Sequence, residues 1–456
     1  MRLLNEPLKE LPFFSRLKNN LGDHKHSLLC GCADPAKLHI ISALSEGVGN
    51  PLILTYSERR AREMAEEYRF YDKQTLVYPA KDLIFYQADI NGRETATERI
   101  RVLKRITSGE KGAVVTTIDA LFSDCLPADV YRDCVITLSK GSLMSVEAVS
   151  KKLVEMGYEK NHQAEVPGQF SVRGGIFDVF DLCADNPYRI ELWGDEVDSI
   201  RSFDAQSQRS IEELKEINIY PANEMILSET RRAEGYRKIK LESQKQIDVM
   251  RSAGKGEGAQ RLSLQLEEIE RFLLYNSGSV NLESYLRFFY DREETGSFLK
   301  LYVQAPLIFL DEPLRLGEHG RAVMKEFNES MSNRLERGYV LPGQADILRS
   351  FEETVAELKR NGSTALCALD TEAGLIGEEQ VYKLNSRTLA SYNGSFSTLT
   401  ENLKDLKKTG SRIVIVSASR SRAERLAQDL REEGVESGFT EDEHKLMLPG
   451  EVVTIY

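Results

Sequence analysis

From Ser27 to Leu138, short apolar runs alternate with stretches of helical periodicity. The runs Ser27–Cys30, Pro51–Thr55, Thr75–Tyr78, Ala113–Thr117 and Val135–Leu138 read as strands. Between them, Thr95 and Glu98 have capping-box spacing, and Ile100 and Leu103 mark one apolar helical face. Strands alternating with helices predict a parallel sheet flanked by helices. A helix is expected to begin at Ser145, with Val146, Val149, Leu153 and Met156 on one face and Gly157 ending it.

The pattern then changes. FSVRGGIFDVF and YRIELWGDEVDSIRSFD read as successive short strands, with a tight hairpin at Trp193-Gly194-Asp195-Glu196. Beyond Pro221 the chain becomes helical again, with Leu262, Leu266, Ile269 and Leu273 in one stripe and RSAGKGEG (251–258) as a break. LIFLDEP (307–313) reads as a buried strand that rejoins the first sheet. STALCALD, then SRIVIVSAS and a helix carrying Ala423, Leu426, Ala427 and Leu430, predict a small α/β domain.

Four segments follow: 1–139, a degenerate phosphate-loop α/β domain; 140–222, an inserted β-rich module; 223–345, helices and the return to the first sheet; and 350–456, a small α/β domain. The fold class is therefore multidomain α/β, a parallel sheet flanked by helices with an inserted β-rich module, a helical return segment and a small C-terminal α/β domain. A length of 456 residues agrees, since it exceeds one ordinary core.

No apolar run approaches the roughly 20 residues needed to span a bilayer, and no membrane partner is expected. The N-terminus lacks the basic end and long apolar stretch of a secretion signal, so a cytoplasmic location is expected. The six cysteines are too scattered for a disulfide framework. His24, His26, Cys30 and Cys32 are soft ligands close in sequence, but Cys30 falls in a core strand and the spacing fits no common zinc module. No metal site is expected there. A net charge of -12 disfavours avid binding to a polyanion by the chain as a whole and points to a protein partner.

GCADPAK, directly after the first strand, is nearly a phosphate loop. A working loop, G-x-x-x-x-G-K-S/T, wraps phosphates with backbone N–H groups, reaches them with its lysine and holds magnesium with its hydroxyl. Gly31 and Lys37 keep the spacing, but Ala36 replaces the second glycine and Leu38 the hydroxyl residue. Pro35 has no N–H to give, and Asp34 puts a negative charge where phosphates would sit. The simpler reading is a helix start, with Asp34 as N-cap, Pro35 as first helical residue and Lys37 in solvent. Asp311 and Glu312 end an apolar strand as the magnesium-binding and water-orienting acids of a working site would. They too fit a helix start before Pro313. Catalytic residues and a cofactor are not expected in this chain.

Alternation along Arg189-Ile190-Glu191-Leu192-Trp193 puts Ile190 and Leu192 toward a core and Arg189, Glu191 and Trp193 on the opposite face. Arg173 joins that face if its strand lies alongside. Exposed Trp with Arg is the composition of a binding hot spot; the alternative is that Trp193 packs against a neighbouring domain.

VPGQFSVRGGIFDVFD and PYRIELWGDEVDSIRSFDAQSQRS closely resemble the UvrA-binding module of the bacterial transcription-repair coupling factors, the Mfd family. YPAKDLIFYQADINGRETATERIRVL (78–103) and IFLDEP are similar to the same family, and SRIVIVSASRSRAERLAQDL to its next small domain. The excision-repair helicase UvrB shares the module but keeps an intact phosphate loop and a tyrosine-rich hairpin, absent around Tyr71 to Tyr86 here.

The resemblance implies that Arg173, Arg189 and Trp193 contact UvrA, although the family often has Phe in the last place. It implies a degenerate RecA/helicase-like parallel sheet and an N-terminal, ATPase-dead recruitment module. RNA polymerase and double-stranded DNA would be met through other parts of a longer parent, an ATP-dependent DNA translocase using ATP and Mg2+. That parent's further domains do not fit in the remaining chain, so an N-terminal fragment is expected, unless the chain ends there naturally. Two other functions stay open: a UvrB-like ATP-dependent damage-verifying helicase, and direct DNA binding through a local basic patch.

Overall fold

The computed structural model describes the chain except residues 1, 82–89, 276–279, 370–374, 378–379, 390–391, 393 and 443–444. The middle of the 78–103 string, with Tyr86, lies outside the described residues. The chain forms two compact units: 1–49 with 67–73 and 362–456, and 50–66 with 74–361. The fold class is α/β with parallel sheets and additional β-sheets, as the alternation predicts.

In the first unit, His26–Cys30 runs parallel to Ser363–Leu366 on one side and Gln380–Lys383 on the other. The sequence pattern puts STALCALD with the last small domain; its strand instead flanks the one that leads into the GCADPAK loop. The reason is non-local, since nothing near Ser363 in sequence specifies its neighbour. Ile413–Val416, Val452–Ile455 and Gly438–Phe439 form a separate parallel sheet. Against it lies the helix Arg420–Glu432, which buries Ala423, Ala427 and Leu430.

In the second unit, Pro51–Thr55 lies between Leu307–Asp311 and Val114–Thr117, with Leu76–Tyr78 beyond, all parallel. LIFLDEP thus rejoins the sheet as expected. PLILT and LIFLD are buried at every position. Strands covered on both faces need such continuous apolar runs. Thr95 and Glu98 do not open a helix: both lie inside Ile90–Ser108. Glu98 instead pairs with Arg62 at 2.9 Å, so a capping-box spacing is here a tertiary ion pair.

The helix Val146–Glu155 begins where the pattern places it, with the Ala148 N–H donating to Ser145 Oγ. The inserted module follows. Its strands are β1 (Glu159–Lys160), β2 (Gln169–Arg173), β3 (Ile176–Val179), β4 (Tyr188–Trp193), β5 (Glu196–Phe203) and β6 (Ser210–Leu214). They lie in the order β6-β5-β4-β3-β2-β1, antiparallel except for β1 with β2. Phe170, Phe177, Val179, Ile190, Val197 and Ile200 line the inner face, packed with Leu153 of the helix, Met156 at its C-cap, and Ile217 and Ile219.

A buried ion cluster fastens the module's exit. Glu224, just past the last module strand, accepts from Arg99 Nη2 at 3.1 Å and lies 3.2 Å from Lys81 Nζ. Burial alone would raise the Glu224 carboxyl, but Arg99 and Lys81 outweigh it and hold it at about 2.

Candidate functional site

The outer face of the module gathers the three residues that the sequence singles out. The hairpin forms as predicted: Trp193 pairs with Glu196 across Gly194-Asp195, and Gly194 has φ +66°. Ile190 is fully buried, whereas Trp193 is 84% exposed. The indole therefore stands outside the core of its own sheet.

Arg173 does not lie beside Arg189, because β3 separates their strands. Asp178 joins them. In register, Ser171, Asp178, Arg189 and Arg201 form one cross-strand row, and partners in a row share a face. Arg189 Nε donates to Asp178 Oδ1 at 2.7 Å and Nη2 to Oδ2 at 2.8 Å. Arg173 Nη2 donates to the same Oδ2 at 2.8 Å. Asp178 is thereby almost wholly covered although it points outward. Arg189 also donates to Gln208 Oε1 at 2.8 Å and lies 4.3 Å over the Phe203 ring. Its hydrogen bonds to Asp178 hold its guanidinium more strongly protonated than usual.

A bidentate pair on a buried acid fixes the Arg189 fork. The Arg173 side chain keeps 43% of its surface exposed, against 17% for Arg189. Arg173 is thus the freer cation, and Arg189 is a part of the platform.

Sequence reasoning missed Asp178, Arg201 and Leu143. Period-2 alternation in IFDV puts Asp178 outward, but only the register shows which arginines it meets. Arg201 pairs with Glu191, which also accepts from Ser199 Oγ at 2.9 Å. The Ser199 hydrogen bond, then Arg201, holds the Glu191 carboxyl below its usual range.

The two segments that the sequence reading joins as a degenerate nucleotide motif fall in different units. In the first, Gly31 has φ +75°, and a Cβ there would lie 1.8 Å from the Leu384 carbonyl oxygen. Its carbonyl accepts from Ser386 Oγ at 2.8 Å, and the Ala33 N–H donates to the same Oγ at 2.7 Å. A hydroxyl of the chain itself therefore engages an amide at the head of the loop. Two expectations need correction. The N-cap is Ala33, which has no side-chain oxygen, and Asp34 is the first helical residue of Asp34–Ser45. Lys37 is not solvated but fully buried, with its Nζ 3.0 Å from Asp34 Oδ1. Helical spacing of three residues brings that pair together, and the buried Leu38 belongs to the core. Ala36 extends the first turn, its N–H donating to the Ala33 carbonyl at 2.9 Å.

In the second unit, Asp311 is buried and accepts from Thr55 Oγ1 at 2.8 Å and Arg60 Nε at 3.5 Å. Glu312 sits at φ 51° as the N-cap of Pro313–Arg337, as the helix-start reading expects. Among the described residues, no three of His24, His26, Cys30 and Cys32 converge as a ligand set. No helix of the described residues is long and apolar enough to cross a membrane.

Comparison with known proteins follows the same division. Residues 136–225 match the family model of the UvrB interaction domain, which spans the whole six-stranded sheet and its flanking strands. The module is thus similar to the UvrB interaction domain. Over 98% of its length the chain is 30% identical to the transcription-repair-coupling factor of Bacillus subtilis. It is 27% identical over its full length to that of Staphylococcus aureus strain Mu50, and 27% identical over 79% of its length to that of Staphylococcus epidermidis. The chain is a relative of the transcription-repair-coupling factors throughout, spanning 38% of the length of the Bacillus and Staphylococcus aureus proteins. The resemblance read from the motifs therefore holds.

Proposed function

We propose that this chain is a recruitment module that docks UvrA on the outer face of its six-stranded sheet and performs no chemistry itself. One observation carries the reading. Within the residues that match the UvrB interaction domain, an indole that is 84% exposed shares a face with Arg173 and Arg189, both ordered by the buried Asp178. Arginine side chains held in place before binding lose little entropy on docking, and an exposed aromatic offers a large apolar contact. The loop supports the absence of ATPase activity. The Ala33 N–H donates to Ser386, Lys37 is engaged by Asp34, and Leu38 offers magnesium no oxygen. Asp311, the candidate magnesium ligand, already has Thr55 and Arg60 against it.

By the name of its relatives, the longer protein couples transcription to repair. We assign this region the task of bringing excision repair to a lesion where RNA polymerase has stalled. Movement on double-stranded DNA and ATP hydrolysis are assigned to the parts of the longer relatives that this chain does not span.

Equilibrium binding to UvrA tests the reading. Ala at Arg173, Arg189 or Trp193 is expected to cost about 1–3 kcal/mol each. Unchanged affinity in the triple variant rejects the site. Titration with a labelled ATP analogue, with and without magnesium, tests the second half. Saturable magnesium-dependent binding lost in Lys37→Ala would favour the UvrB-like helicase instead.

A further inference from the structure

At the hairpin end of the sheet a second large apolar side chain stands open. Leu143 is 82% exposed and forms an antiparallel bridge with Glu196, which in turn pairs with Trp193. Cross-strand partners point to one side, so Trp193, Glu196 and Leu143 make a row. Adjacent strands are about 4.8 Å apart, which sets Leu143 and Trp193 roughly 10 Å from each other with a carboxylate between them.

The exposure of Leu143 is built in. The Val197 N–H donates to the Ser142 carbonyl at 2.9 Å and the Met144 N–H to the Asp195 carbonyl at 2.8 Å. Met144 is buried in the module core, so its neighbour Leu143 must face out. A single exposed leucine means nothing. Two apolar anchors in one register row, on a backbone that cannot turn them inward, make a patch.

The surrounding charge identifies the occupant. Asp195, Glu196 and Asp198 are all exposed at this end of the sheet. Arg173 and Arg201 lie on the same face nearer its middle, with 43% and 34% of their side chains exposed. A nucleic acid stacking its bases on the indole would bring phosphates to the three carboxylates, which repel them.

We propose that Leu143 and Trp193 are the two prongs of one apolar anchor for a folded protein. That partner presents a cleft for both prongs, a basic group opposite Asp195 and Glu196, and carboxylates opposite Arg173 and Arg201. The proposal rests on the recruitment reading above and adds Leu143 and the polarity of the face to it.

The test measures the affinity of the complete chain for purified UvrA in the unaltered form and in Leu143→Ala, Glu196→Lys, Trp193→Ala and the Leu143→Ala/Trp193→Ala double variant. Leu143→Ala is expected to weaken binding about five- to thirtyfold. Glu196→Lys is expected to weaken it about tenfold, by an amount that shrinks with added salt. The double variant should lose less than the product of the single losses, since both prongs enter one cleft. All these positions are exposed, so far-UV circular dichroism and melting should not change. If Trp193→Ala loses binding while Leu143→Ala and Glu196→Lys bind like the unaltered chain, the two-pronged anchor is overturned and the recruitment reading stands. If the unaltered chain does not bind UvrA, both fall. A single-stranded oligonucleotide that binds through Trp193 would also overturn it, by putting bases on the indole.

Discussion

The loop Gly31–Leu38 and the outer face of the inserted sheet carry comparable polar equipment and use it in opposite ways. In the loop the contacts close inward: Gly31 and Ala33 both meet the Ser386 hydroxyl, and Lys37 meets Asp34 out of solvent. On the sheet, Asp178 is sealed away, and it serves to hold two arginines whose far sides remain accessible. Phosphate-loop spacing alone does not make a site. What counts is whether donors and cations end on the chain itself or on its surface.

Four substitutions or titrations probe that contrast, in descending order of effect. Asp178→Ala removes the shared acid and leaves Arg189 partly buried without its partner. Urea unfolding should show a loss of about 3–5 kcal/mol, with UvrA affinity falling alongside. A loss below about 1 kcal/mol would mean that the arginines are ordered by something else. On the loop, Gly31→Ala combines a left-handed φ with a collision against Leu384, and should destabilise by about 2–4 kcal/mol without any nucleotide present. An unchanged midpoint would remove the structural explanation for that glycine.

Trp193→Ala should separate the two roles most cleanly. Stability should stay within about 0.5 kcal/mol while UvrA binding drops. A stability loss as large as that of Asp178→Ala would make the indole a packing residue. The smallest effect concerns Glu191. Its pKa in the folded chain is depressed, by Ser199 first and Arg201 next, so its contribution is present above the unfolded carboxyl pKa and disappears as pH falls through the folded one. A titration followed by NMR should give a Glu191 midpoint below 4.5 that rises in Arg201→Met. A midpoint at or above the ordinary value would break the assigned pair.

Much of this was legible before any coordinates. Continuous apolar runs such as PLILT and LIFLD gave central parallel strands, and alternation in RIELW gave an inner and an outer face, because burial on two sides or one imposes those periods. Local chemistry also set the Trp193–Glu196 hairpin and the loss of the loop's hydroxyl at Leu38.

What the chain order could not carry were the meetings between particular side chains. Asp178 with two arginines, Ser386 with the Gly31–Ala33 loop, Glu98 with Arg62 and Leu143 beside the Glu196–Trp193 row all depend on register and strand order. A helix-start motif likewise says nothing of what will bury its lysine. Periodicity reports which side of an element is dry. Only the packed structure decides which charge or hydroxyl waits there, since that depends on strand register and order, whether the partner is five residues away or hundreds.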